Sequence, residues 1–362
     1  MKYTLQINTG SFDILKVYDI NDVLDRLNYA FSVIDVDRVI LGWNNCVDIN
    51  KTIIDLCAKN NTEVFLWLPV FADVRRIDKS DKLVFLNENN DSSISVVEGE
   101  NFEFICPNSE ANIDEVIETY KYLSTQCHFD GVFLDRIRYA SMANGFDSLL
   151  GCYCDKCLDV YKNNNINIDN LKTKTIEDFI PCGMNNGLYD FADEDINKLF
   201  TIKRNIVLDS VNELIDRFHA LDLKVGLDVF APAISDYVGQ DVSSLAKKAD
   251  FVKPMMYSVT NAPAGIPFEL NALGEDIKNK INELWGCDIS SPEGFIKQIE
   301  NLKGNIVPGV EVNKLDICNA SEEYLEQCIK TGVSLGLKGM VLSWDSLHAD
   351  KTMFEVAGKY NG

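Results

Sequence analysis

The chemistry of this chain concentrates in His128-Phe-Asp-Gly-Val-Phe-Leu-Asp-Arg-Ile-Arg-Tyr139, an apolar run of strand length that stops at one carboxylate, Asp135, and two guanidiniums, Arg136 and Arg138. The two-residue period of a strand puts Gly131, Phe133 and Asp135 on one face. In a central parallel strand Asp135 would stand at the carboxyl-terminal mouth, where α/β folds collect their ligands. Other apolar runs end in the same way. Lys224–Phe230 carries Asp228, Phe251–Tyr257 carries Lys253 and Tyr257, and Asn305–Val312 ends around Glu311. Trp43 closes the run Asp37–Trp43, Trp67 lies within Glu63–Phe71, and Trp344 with Asp345 closes the run from Gly339.

Aromatics and carboxylates therefore dominate the strand ends. Indole faces stack on the apolar faces of sugar rings, and paired carboxylates supply the acid and the base or nucleophile that glycosidic bond cleavage needs. The expected catalytic groups are Asp135, Glu311 and Asp228. Substrate contacts are expected from Trp43, Trp67 and Trp344, from Arg136 and Arg138, and from Lys253, Tyr257 and Asp345. Each has a plainer reading: a strand-end Asp also caps helices, arginines also pair with a neighbouring carboxylate, and tryptophans also fill barrels. A buried strand that ends in Glu311 costs several kcal/mol unless the carboxylate is paired or solvated in a cleft. A non-catalytic carbohydrate-binding barrel, or a lyase or isomerase that uses Lys253 as base or Schiff-base amine, is the alternative.

Histidine offers little, since His128 precedes its strand, His219 lies on a helical stretch and only His348 follows a strand. Cysteine offers more. Cys152, Cys154 and Cys157 form C-x-C-x-x-C, a spacing that converges three thiolates on one tetrahedral ion, and a four-sulfur zinc site would be structural, with no open position for water. The fourth ligand is either Cys106, in Ile105-Cys-Pro-Asn, or Cys182, in the same long segment as the trio.

The elements that position these residues alternate. Strands at Tyr3–Asn8, Asp37–Trp43, Glu63–Phe71, the run ending at Asp135, Lys224–Phe230, Phe251–Tyr257, Asn305–Val312 and Gly339–Trp344 are separated by helical periodicities. Those helices are expected at Asn21–Val33, Ile49–Ala58, Asn112–Cys127 (opened by a capping box of Asn112 and Glu115), Ile196–Leu221, Val242–Ala249, Ser321–Ser334 and Lys351–Tyr360. Two more are expected within Phe268–Leu302, the second opened by Ser291-Pro292. Eight apolar strands alternating with helices predict an α/β fold, a single (β/α)8 TIM barrel over residues 1–362. Its insertions would follow strand three (about 72–107, with a hairpin at Leu83–Phe85 and Ser95–Val97) and strand four (about 140–194). No G-x-G-x-x-G follows the first strand, which argues against a doubly wound dinucleotide fold.

The formal net charge of −22 over 362 residues excludes a sequence-independent grip on nucleic acid. The start Met1-Lys-Tyr-Thr-Leu-Gln-Ile lacks a long apolar stretch, and no run approaches the roughly 18 apolar residues of a membrane helix, so a soluble cytoplasmic protein without a membrane partner is expected. Eleven cysteines then read as buried thiols plus a metal site rather than as a disulfide framework.

Ile105-Cys-Pro-Asn-Ser with Gly151-Cys-Tyr-Cys-Asp-Lys-Cys-Leu resembles the zinc cluster of glycoside hydrolase family 42 β-galactosidases, in which a cysteine of a Cys-Pro-Asn-Ser stretch joins a Cys-x-Cys-x-x-Cys loop after the fourth barrel strand. That resemblance implies a structural zinc on Cys106, Cys152, Cys154 and Cys157. Asp135-Arg-Ile-Arg-Tyr139, with Phe251-Val-Lys-Pro-Met-Met-Tyr257 and Gly339-Met-Val-Leu-Ser-Trp-Asp345, resembles a broader set of glycosidase-like barrels whose fourth strand ends in Asp-x-x-Arg-Tyr. Family 42 has Asn-Glu at the end of strand four, with Glu as the acid/base, and this chain has Asp135-Arg136, so galactosidase activity does not carry over. Glu311 matches in position the nucleophile at the end of the seventh strand in that family's clan. The resemblance implies a hydrolase of carbohydrate or glycoside, and the arginines beside Asp135 also permit an anionic sugar.

Overall fold

The computed structural model describes residues 1–10, 19–42, 46–72, 81–86, 92–94 and 103–362. Eight parallel strands close into a barrel: β1 (Lys2–Asn8), β2 (Val36–Gly42), β3 (Glu63–Pro69), β4 (Gly131–Asp135), β5 (Lys224–Phe230), β6 (Phe251–Met255), β7 (Gly309–Glu311) and β8 (Gly339–Ser343). Each pairs with its neighbours in sequence, and β1 closes the ring on β8 with Lys2 opposite Gly339. The predicted (β/α)8 barrel is the observed fold.

Alternation sorts the strand residues. Tyr3, Leu5 and Ile7 of β1 face the helical layer, so Thr4, Gln6 and Asn8 turn inward. The inward residues Ile40, Phe65, Trp67, Phe133, Phe251 and Val341 form an apolar plug. Phe251 packs edge-on against Phe65 at 5.5 Å and stacks on Phe133 at 5.8 Å. The Arg38 guanidinium closes its lower end, 4.1 Å from the Phe251 ring centre. Everything polar above this plug is held by a rigid floor.

Most boundaries fall within a few residues of the sequence reading, and four departures bear on the site. β7 is shorter than Asn305–Val312 because Pro308 has no N–H to give the ladder, which leaves Ile306 as an isolated bridge to Val252. Phe268–Leu302 lies within three helices, Ile266–Leu273, Glu275–Trp285 and Pro292–Glu300, because Gly274 at φ +91° ends the first. The helix before β4 begins at Glu110 behind Ser109, not at Asn112. The Asn112 side chain instead donates to the carbonyls of Asp81 and Cys106, both at 2.9 Å, tying that helix to the segment after β3. The hairpin after β3 pairs Val84–Leu86 with Ser92–Ile94; the expected partner strand Ser95–Val97 lies outside the described residues. Among the described residues no helix is long and apolar enough to cross a membrane.

Candidate active site and metal centre

The mouth of the barrel holds most of the chemistry. Leu134 of β4 is opposite Leu227 of β5, so Asp135 and Asp228, the next residue on each strand, stand side by side. Lys253 of β6 is opposite Asp228. Its ammonium donates three hydrogen bonds, to Asp228 Oδ2 at 3.0 Å, Gln6 Oε1 at 2.8 Å and Tyr257 Oη at 2.7 Å. Lys253 can span the barrel toward β1 because β7 offers Gly309, where a Cβ would fall 2.2 Å from the Lys253 Cε. Ser343 of β8 donates to the same Gln6 oxygen at 3.2 Å.

The two aspartates have unlike surroundings. Asp135 accepts the Trp67 indole N–H at 2.9 Å on one oxygen and the Arg136 backbone N–H at 2.6 Å on the other. Arg136 takes φ +54°, the left-handed region, which turns the chain out of the strand. Asp228 is sealed from solvent, and burial pushes its carboxyl up to about 7; the Lys253 charge works against that rise and the Asp135 charge reinforces it. The Gln6 side chain also favours the carboxylate form of Asp228, while Asp228 Oδ1 and Gln6 Nε2 complete no hydrogen bond among the described residues. Burial lowers the Lys253 ammonium, with Asp228 pulling it back up.

Glu311 ends β7 as a fully enclosed group. Oε1 accepts the Val259 N–H at 2.8 Å and the Thr260 hydroxyl at 3.1 Å, and Oε2 accepts the Tyr324 hydroxyl. Burial raises its carboxyl while those donors pull it down. The carboxylate joins the loop after β6 to the helix Glu322–Ser334. Its desolvation is offset by pairing rather than by exposure in a cleft.

The remaining expected contacts fall in different places. Trp344 is half-buried, its backbone N–H donating to Asn313 Oδ1 at 2.8 Å. Asp345 accepts from the N–H groups of Asn8 and Leu347, both at 3.1 Å, and meets His348 Nδ1 at 2.9 Å, which ties the end of β1 to the turn after β8. Arg138 lies between the rings of Phe104 and Phe230, at 5.1 and 4.5 Å, and donates to the Tyr139 carbonyl at 3.0 Å. Trp43 lies outside the described residues. Sequence reasoning passed over Gln6, Ser343, Thr260 and Tyr324. Gln6 alone left a signal, as the middle polar residue of the alternation Thr4, Gln6, Asn8.

The second constellation is sulfur. The thiols of Cys106, Cys152, Cys154 and Cys157 all lie within 4.8 Å of one another, with Cys106 3.6 Å from both Cys154 and Cys157. A tetrahedron of sulfurs about 2.3 Å from a central ion has edges of about 3.8 Å, so the set has the size of a metal cage. N–H groups point at the sulfurs as they do at thiolates: Val84 and Cys154 donate to Cys152 Sγ, both at 3.4 Å. Cys182 is exposed beside the hairpin Gly183–Asp190 and is not in the group, so the alternative fourth ligand falls to Cys106. No disulfide joins any of the eleven cysteines.

No protein-family description and no curated protein matches the sequence. Solved structures do match. The PgaB (BpsB) glycoside hydrolase domain from Bordetella bronchiseptica superposes with a TM-score of 0.58 at 13% identity, over 96% of this chain and 95% of that one. The fold is that of glycoside hydrolase barrels. The α-L-fucosidase isoenzyme 2 from Paenibacillus thiaminolyticus gives a TM-score of 0.56 at 12% identity, over 99% of this chain and 48% of that one. At such identities the likeness is one of architecture, and the chemistry has to be argued from the side chains themselves.

Proposed function

We propose that this barrel cleaves a glycosidic bond, with Asp228 as proton donor and Asp135 as its partner carboxylate. The observation that carries this reading is the pairing of two carboxyls on adjacent strands in opposite environments, one raised by burial and one held by two N–H donors. That is the division of labour which acid-assisted cleavage of an acetal requires. Neighbouring strands lie about 4.8 Å apart, which favours the short carboxyl separation of a retaining mechanism over the longer one of inversion. Lys253 serves here as the charge partner of Asp228. Its three protons are all engaged, and it presents no free lone pair for a Schiff base.

In this reading Trp67 orients Asp135, Trp344 offers its half-buried ring to a sugar, and Arg136 beside the mouth suits an anionic unit. Glu311 acts as a positioning group, since both its oxygens are taken by donors from the loop after β6 and from Tyr324. Cys106, Cys152, Cys154 and Cys157 would hold a structural zinc that fastens the segment after β4 to the start of the helix before it. Thiols without disulfides suit a cytoplasmic setting. A carbohydrate-binding barrel without catalysis is the second reading, favoured by the Lys253 ion pair if it keeps Asp228 as an anion. Release of reducing ends from a panel of neutral and uronic glycans, measured for the wild type and Asp135→Asn beside calorimetric binding, separates the two. Turnover lost in the variant with binding kept supports the enzyme; binding without turnover in the wild type supports the binding barrel.

A further inference from the structure

Lys203 lies on the long helix Glu194–His219 and is 1% exposed. Among the described residues it has no carboxylate partner: the nearby Asp236 is already taken by Arg204 at 2.8 Å and by the Tyr189 N–H at 2.7 Å. The Lys203 ammonium donates instead to the carbonyls of Ser148 and Leu149, at 3.2 and 3.1 Å, and sits 4.7 Å from the centre of the Tyr139 ring. Those carbonyls belong to the turn Asp147–Leu150 that leads directly into Gly151-Cys152. A buried cation hydrogen-bonded to carbonyls and a ring face, whose nearest carboxylate is shared with Arg204, is short of the counter-charge that burial normally demands.

Four thiolates around a divalent ion leave a net charge of about −2 on the cluster. On its outer side Cys154 borders a cavity of about 420 Å³ lined also by Asp81, Asp155 and Lys156, the last paired with Asp81 at 2.8 Å, so solvent answers the charge there. The inner side is closed. Burial lowers the Lys203 ammonium to about 7, and the charges that pull it back up are Asp236 first, then Cys152 and Cys157. Tyr139 and Tyr161, both fully buried, interact with the same thiols, and their hydroxyls find no acceptor among the described residues. Two O–H donors without an acceptor and one buried ammonium behind the turn Asp147–Leu150 thus act electrostatically on the cysteine cluster.

We propose that Lys203 is the built-in counter-ion of a four-thiolate metal centre, neutralising its buried side while it fixes the turn that delivers Cys152. This rests on the zinc reading above. Lys203 is a positioning and charge-compensating residue, so its effect belongs in metal affinity rather than in fold stability.

The test uses the full chain stripped of metal and titrated with Zn²⁺ against a chromophoric chelator. Lys203→Gln retains amide N–H donors for the two carbonyls and removes the charge; Lys203→Arg retains the charge. Lys203→Gln is expected to weaken Zn²⁺ binding by roughly ten- to a hundredfold, as losses around a metal's ligands do, with Lys203→Arg staying within about threefold of the wild type. The thermal midpoint of the metal-free Lys203→Gln protein should not fall, because it loses an uncompensated buried charge. Equal affinity in Lys203→Gln and the wild type, or equal loss in both variants, overturns the counter-ion role. A wild type that takes up no Zn²⁺ overturns the zinc reading itself, a distinct outcome.

Discussion

Lys253 Nζ and Asp228 Oδ2 meet at 3.0 Å inside the barrel, and neither side chain is more than 2% exposed. Asp228 is level with Asp135 on the next strand, so one cation answers two acids in a space closed below by aromatic rings. Burial raises the Asp228 carboxyl, the Asp135 charge adds to that rise and Lys253 opposes it, which lets Asp228 carry a proton near neutral pH.

That raised carboxyl gives a stability signature. The folded state holds the Asp228 proton up to about pH 7, whereas the unfolded chain loses it near the ordinary carboxylate value of about 3.9. Between those values the folded state binds more protons, so this contribution to stability is complete below about pH 4 and is lost as pH rises through about 7. Denaturant unfolding of Asp228→Asn against the wild type from pH 4 to 8 should therefore shift in favour of the variant as pH rises, by at most about 1.4 kcal/mol per pH unit. A difference independent of pH would mean that Asp228 titrates normally.

Glu311→Gln should act on stability before it acts on rate. The amide keeps one acceptor oxygen but turns an NH2 group toward a hydroxyl or an N–H that had been donating, which costs on the order of 1–3 kcal/mol. A lower thermal midpoint with kcat reduced less than about tenfold is expected, since general acid and base groups contribute roughly 100-fold or more. A collapse of kcat with unchanged stability would instead make Glu311 the attacking group.

Removing one sulfur should empty the metal centre. Cys154→Ser is expected to retain far less zinc by atomic spectroscopy. Its thermal midpoint should fall by roughly 4 °C for a loss of about 3 kcal/mol. The wild type should lose a similar amount to a strong chelator, and the variant should lose nothing further. Full zinc content in Cys154→Ser would contradict the ligand set.

The barrel was legible because its strands are apolar on both faces and alternate with helical periodicities, a pattern that few other folds share. The carboxylates and the lysine were legible because charge interrupts those apolar runs. Their partners were not. Tyr324 reaches Glu311 from a helix thirteen residues further on, and Gln6 meets Lys253 across 247 residues of chain, distances at which a sequence carries no pairing signal. Asn112 shows the same limit, since the expected cap lies inside a helix that starts at Glu110 and its side chain bonds the Asp81 and Cys106 carbonyls. The sequence left Glu311 either paired or solvated in a cleft, because nothing in it announces the three donors that enclose the carboxylate.

The sharpest test of the Asp228 role compares two substrates in Asp228→Asn: a glycoside with an unactivated leaving group, which needs a proton donor, and its dinitrophenyl counterpart, which leaves unaided. The expected result is a drop in kcat of roughly 100-fold or more on the first, with turnover of the second largely kept. Equal losses on both substrates, or no loss on either, would contradict Asp228 as the acid.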